Sequence, residues 1–109
     1  MPRREDPKIT IRTGLVIAIY PGATAEQVEK QVGEKIEQRL FRFAEVRKGK
    51  TWSTSRPGLF VVNVELEDNV REPDVFWSKL RHNMIELKMT ELPDAVQGPV
   101  VDDSFGIRI

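Results

Sequence analysis

The sequence predicts a small α+β domain of element order β-α-β-β-α-β, an antiparallel sheet with two helices on one face. Three observations carry that prediction. The period of the apolar residues changes repeatedly between two and about 3.6, the mark of strands alternating with helices. Turn residues stand where the period changes, at Tyr20-Pro21-Gly22, Arg56-Pro57-Gly58 and Leu92-Pro93. A chain of 109 residues, 39% apolar and 31% charged, is also enough for one compact core and too short for two.

The first strand is read from Ile9, Ile11, Leu15, Ile17 and Ile19 on one parity, with Thr10, Arg12 and Gly14 on the other. Tyr20-Pro21-Gly22 ends it. Thr24 then precedes Gln27 by three residues, the spacing of a capping box that satisfies free amides at a helix start. From there Val28, Val32, Ile36 and Leu40 recur at every fourth position, a stripe toward a core. Glu26 and Glu29 lie near the positive end of this helix, and Arg39 and Arg42 near its negative end. The helix is expected over Thr24 to Arg42.

Val46 to Ser55 reads as a polar strand, and Leu59 to Leu66 as a valine-rich one joined to it by a hairpin turn. Pro73 suits the first position of a second helix, whose Phe76, Leu80, Met84 and Leu87 share a face until Leu92-Pro93 stops it. Val96 to about Asp102 supplies the last strand. This is the split pattern of ferredoxin-like folds, whose sheet order is fourth, first, third, second. The edges then fall on the second and fourth strands, where Arg47, Lys48 and Lys50 on one and Pro99 on the other discourage stray pairing.

Composition narrows the function. Seventeen basic residues balance seventeen acidic ones, which removes the electrostatic footprint of a nucleic-acid or membrane-surface binder. With no cysteine there is no disulfide framework, thiolate metal site or cysteine nucleophile. The longest apolar run, Leu15 to Tyr20, is far below the roughly 20 residues that span a bilayer. Met1 to Pro7 has no apolar core of a secretory signal, so the chain alone is expected to be soluble.

Catalytic chemistry finds little to work with. His82 is the one histidine and lies on a helix without cysteine or paired carboxylates beside it, so a surface or structural role is expected. Asp102 and Asp103 are adjacent near a strand end, where successive side chains point to opposite faces and do not share a proton. Met84 and Met89 are five apart, which splits them between helix faces, and both read as packing residues. Gly49, Gly58, Gly98 and Gly106 form no phosphate-cradling motif. Gly33 stands inside the first helix at a cost of about 1 kcal/mol relative to alanine, either to permit close packing or as a tolerated residue. Gly58 to Val64 lies where an RNA-recognition motif places stacking aromatics, but only Phe60 is aromatic there, on a parity that also looks like core. The expectation is a non-enzyme with no cofactor or metal and no nucleic-acid partner.

A resemblance adds an identity. Tyr20-Pro21-Gly22-Ala23-Thr24-Ala25-Glu26-Gln27-Val28 resembles the Y-P-G-A-x-A-x-x-V signature that opens the porter region of resistance-nodulation-division multidrug efflux pumps. The likeness continues through Ile36-Glu37-Gln38, Ser55-Arg56-Pro57-Gly58, Val64-Glu65-Leu66, Leu92-Pro93 and the block from Val96 to Gly106. Pro2 to Pro7 resembles the stretch leaving the first membrane helix of such pumps. The resemblance implies a linker at residues 1–8, a first periplasmic porter subdomain at residues 9–106 and a tail at residues 107–109. It implies a parent at the periplasmic face of the inner membrane, a proton-driven homotrimer completed by an adaptor protein and an outer-membrane channel.

By the same resemblance, Pro73 to about Met89 corresponds to the pore helix around the threefold axis, with Asp74, Ser78, Arg81 and Ile85 as its axis-facing stripe. Ile107-Arg108-Ile109 departs from the family pattern and suggests a truncated frame or a foreign tail. No membrane helix, proton relay or second porter subdomain is recognised in this sequence, so transport is not expected of the chain alone. By itself it is expected to be a monomer or an edge-paired dimer. The alternative reading is an independent ferredoxin-like domain that binds RNA or a small molecule.

Overall fold

The computed structural model describes residues 12–102. Four strands, β1 (Thr13–Ile19), β2 (Trp52–Arg56), β3 (Leu59–Glu65) and β4 (Gln97–Asp102), form one antiparallel sheet of order β2-β3-β1-β4. Read from the other edge this is fourth, first, third, second. Two helical arms lie on one face: α1 (Ala25–Val28), a π-helical turn at Glu29–Gly33 and α2 (Glu34–Leu40) run without a break, and α3 (Pro73–Thr90) follows the hairpin. The fold is the α+β, ferredoxin-like arrangement that the sequence predicts.

The first arm begins as its capping signal requires. The Thr24 hydroxyl accepts from the Gln27 amide at 3.1 Å, and the Gln27 side chain accepts from the Thr24 amide at 2.9 Å. Gly22, with φ of 82°, turns the chain out of β1 in a conformation that suits glycine. Val28, Val32, Ile36 and Leu40 are all fully buried. In a regular α-helix every fourth residue drifts by about 40° per step, because a turn takes 3.6 residues. The π turn, closed by the Glu34 amide on the Glu29 carbonyl, widens the helix midway and brings this four-residue spacing back onto one face.

Burial in the sheet decides the sidedness of β1. The parity that faces the helices is Gly14, Val16 and Ala18, whereas Leu15 and Ile17 are half-buried and Ile19 is exposed. The larger apolar residues of this strand therefore lie on the side without helices. Space explains the choice, because the helix side must hold Trp77, Phe76 and Phe60, all fully or almost fully buried. A Cβ at Gly14 would stand 3.1 Å from the Trp77 ring. One at Gly33 would stand 2.7 Å from Cε1 of Phe60, so this glycine serves close packing. Phe76 ties the aromatic group together, edge-on to Trp77 at 5.1 Å and to Phe43 at 5.3 Å.

The second strand is shorter than its sequence suggests. Val46 makes a single bridge to Leu66, and Lys48–Lys50 form a 3₁₀ turn before β2 starts at Trp52. Arg47, Lys48 and Lys50 therefore lie off the edge strand they were expected to guard. Arg47 instead meets the carboxylates of Glu65, Glu67 and Asp68 at 3.7, 3.4 and 2.8 Å. Arg12 secures the same region by donating to the carbonyls of Glu67 and Val70. Arg39 joins the two helical arms, reaching the Asn83 side chain at 3.2 Å, Glu86 at 3.3 Å and Glu91 at 3.4 Å. Residues 1–8 and 107–109, assigned above to a linker and a tail, lie outside the described residues, as does the expected start of the first strand at Ile9 and Ile11.

Two stability predictions follow from this packing. Ile36→Ala should destabilise the domain by about 2–5 kcal/mol, whereas Lys35→Ala should do little; equal denaturation midpoints would overturn the helix register. Gly33→Ala should destabilise by about 1–3 kcal/mol despite alanine's better helix propensity, because the added methyl overlaps the Phe60 ring. In a Phe60→Leu background the same change should cost less, and calorimetry of the four proteins measures that coupling.

Candidate functional site

The 18 residues of α3 make a rod about 27 Å long with two unlike sides. Pro73 occupies its first turn, where a missing amide proton costs nothing, and Asp74 and Lys88 match the two ends of its dipole. Pro73, Phe76, Trp77, Leu80, Met84 and Leu87 are buried against the sheet. Trp77 belongs to this face although the four-residue pattern did not include it. Outside, Val75 and Ile85 are each 57% exposed and Met89 is 80% exposed. Met89 is thus no packing residue within the domain, while Met84 is.

The stripe of Asp74, Ser78, Arg81 and Ile85 runs along the flank of α3 that borders β4, not opposite the core. Asp74, Ser78 and Ile85 are exposed, and Arg81 is half-buried with Nη2 donating to the Val101 carbonyl at 3.4 Å. Between Ile85 and the edge strand lies a shallow groove of about 220 Å³, lined by Arg81, Ile85, Pro99, Val100 and Val101. The four residues therefore form one continuous surface that mixes charge, hydroxyl and aliphatic character.

The other singled-out residues do not converge. His82 is exposed, with Nδ1 3.2 Å from the Ser78 carbonyl one turn back. Among the described residues, no three histidine, cysteine or acidic side chains come together as a metal site. Asp102 ends β4 half-buried, and Asp103 lies outside the described residues. Phe60 is 1% exposed beneath the first helical arm, so its ring is closed to a stacking base. The exposed aromatic of the sheet is Trp52, on the face without helices.

A larger groove of about 470 Å³ opens beside the start of α3, between Val75, Phe76 and Lys79 on the helix and Ala44, Glu45 and Val70 in loops. Lys79 Nζ lies 2.8 Å from Glu45 and 5.3 Å above the Phe43 ring. The hydrogen bond from Lys79 holds the Glu45 carboxyl below the usual carboxylate range, against the opposing effect of burial. Nothing in the sequence marked this pair, because its members are 34 residues apart and belong to no motif.

Among the described residues no helix is long and apolar enough to cross a membrane. No protein family matches the chain, and no curated protein matches it either.

The Glu45–Lys79 pair yields a pH prediction. A carboxyl with a depressed folded-state pKa adds stability above its unfolded pKa and loses it as pH falls through the folded value. Glu45→Gln should therefore lower stability at neutral pH by no more than about 1 kcal/mol, since the pair is partly exposed. The difference from wild type should vanish below the carboxylate range, and urea titrations at neutral and acid pH measure it. A constant difference at both would overturn the assignment.

Proposed function

We propose that this chain is the first porter subdomain of a resistance-nodulation-division efflux transporter, a structural and assembly module with no catalytic activity alone. The observation that carries the proposal is the outer surface of α3. A long helix that leaves Val75, Ile85 and Met89 uncovered is built to meet another surface. The resemblance at Tyr20 to Val28 supports the same reading and has a physical basis here, since those residues form the turn and capping box that start the first arm. In the parent, at the periplasmic face of the inner membrane, the Asp74, Ser78, Arg81 and Ile85 stripe meets its symmetry mates around the threefold axis. An adaptor protein and an outer-membrane channel complete the route.

The alternative of an independent binding domain draws on the groove at Glu45 and Lys79, which is open and carries both charges. Its RNA form has lost Phe60 as a stacking surface and has no net positive charge behind it. Assembly through α3 is the reading with more support.

A stripe with one aliphatic residue buries little apolar area, so the axis contact is weak without the rest of the parent. Cysteine cross-linking in membranes, with the whole reading frame expressed, tests the proposal. Ile85→Cys should give covalently linked subunits on mild oxidation, and Glu86→Cys, exposed but about 100° around the helix from Ile85, should give far fewer. Equal cross-linking at both positions, or none at Ile85→Cys, would refute the pore-helix role.

A further inference from the structure

We propose that the groove beside the start of α3 binds a small zwitterion with an apolar side chain, a free α-amino acid. At about 470 Å³ the groove has the size of pockets that take small molecules. Its apolar lining includes Val70, Val75 and Phe76, and its charged lining is Glu45, Arg71, Glu72 and Lys79. Val75 is largely exposed and Phe76 almost wholly packed, so the helix wall offers bare aliphatic surface on a firm base.

Both walls are held in place by contacts within the chain. Arg12 donates to the carbonyls of Glu67 and Val70 at 2.9 and 2.8 Å, which fixes the loop after β3. Across the groove, Lys79 Nζ meets Glu45 at 2.8 Å and lies 5.3 and 6.0 Å from the Phe43 and Phe76 ring centres, which ties the loop after α2 to α3. Glu45, its carboxyl held below the usual carboxylate range by the Lys79 hydrogen bond, keeps this wall charged at neutral pH. A groove formed before its ligand arrives loses little to ordering on binding.

The balance of charge selects the ligand. Two acids and two bases line the groove, so neither a bare anion nor a bare cation finds an overall complement there. Glu45 and Lys79 already satisfy each other. Arg71 and Glu72 are both exposed, and among the described residues neither side chain has an ion-pair partner. A guanidinium fork matches a carboxylate with two parallel hydrogen bonds, and a carboxylate accepts from an ammonium. Consecutive residues on one rim thus offer a partner to each end of an amino acid, whose side chain lies against Val70 and Val75. The inference uses neither Ile85 nor the groove beside β4, so it stands apart from the efflux reading.

Amide chemical shifts of the isotope-labelled chain, followed as norleucine is added, test it. Saturable shifts at Glu45, Val70, Arg71 and Val75 are expected, with a dissociation constant of about 1 mM for so small a ligand. Hexanoate, which lacks the ammonium, and pentylamine, which lacks the carboxylate, should each bind about tenfold more weakly. Arg71→Gln should weaken norleucine binding about tenfold, and Lys50→Ala, outside the groove, should leave it unchanged. The spectrum of each variant reports whether it folds, and Glu72→Gln carries the test should Arg71→Gln fail to. Shifts that stay linear in norleucine to about 50 mM overturn the proposal. So does hexanoate or pentylamine binding as tightly as norleucine, because the groove would then read one charge only. Binding that survives Arg71→Gln and Glu72→Gln together overturns it as well.

Discussion

The contact between Gly33 and Phe60 sets the distance between the two layers of this domain. A ring that presses on a helix backbone needs a helix residue without a side chain, and the ring lies where a Cβ would stand. Phe60 then fills the space beneath the first arm, and Trp77 does the same beneath α3 over Gly14. With two large aromatics committed to the interlayer space, β1 can place only small residues there. Gly14, Val16 and Ala18 meet that demand, and the strand's leucine and isoleucines fall on the other side. The apolar outer face of the sheet is in this sense a consequence of how the inner face is packed.

Much of the fold was legible because local signals agreed with one another. The capping box, the buried stripe from Val28 to Leu40, the hairpin at Arg56 to Gly58 and the proline at the start of α3 each have a short-range physical cause. What stayed hidden depends on partners distant in sequence. The π turn restores the phase of a strict four-residue repeat, and its position is set by where the sheet lies. Trp77 could not be assigned inward without knowing that Gly14 leaves room for it. The strand around Arg47 was misread because Arg47 answers to Glu65, Glu67 and Asp68, which the hairpin brings alongside.

The candidate site was legible only in part. Helical spacing placed Asp74, Ser78, Arg81 and Ile85 on one stripe, and they do share a surface. Spacing could not show that the stripe borders β4, because that depends on how α3 is rotated about its axis when Trp77 is inserted. The Arg81 contact with Val101 and the groove beside Ile85 follow from that rotation. The Glu45 and Lys79 groove had no local signal at all, since a loop carboxylate and a helix ammonium meet only in the folded chain.

Among the described residues, two surfaces are left uncovered, and they point in opposite directions. One is the outer side of α3, where charge and isolated aliphatic residues alternate along a rod. The other is the sheet face away from the helices, where Ile19, Trp52 and Val100 are exposed. A domain whose polar groups were arranged for chemistry would gather them in one concavity, as converging acids, bases or ligands. Here the charged side chains act mainly as braces: Arg39 between the helical arms, Arg47 across the hairpin, Arg12 under the loop after β3. They hold neighbouring elements of the same layer together, while the apolar side chains left outside are those a neighbouring surface would cover. That division of labour among the described residues is what the proposed assembly role draws on.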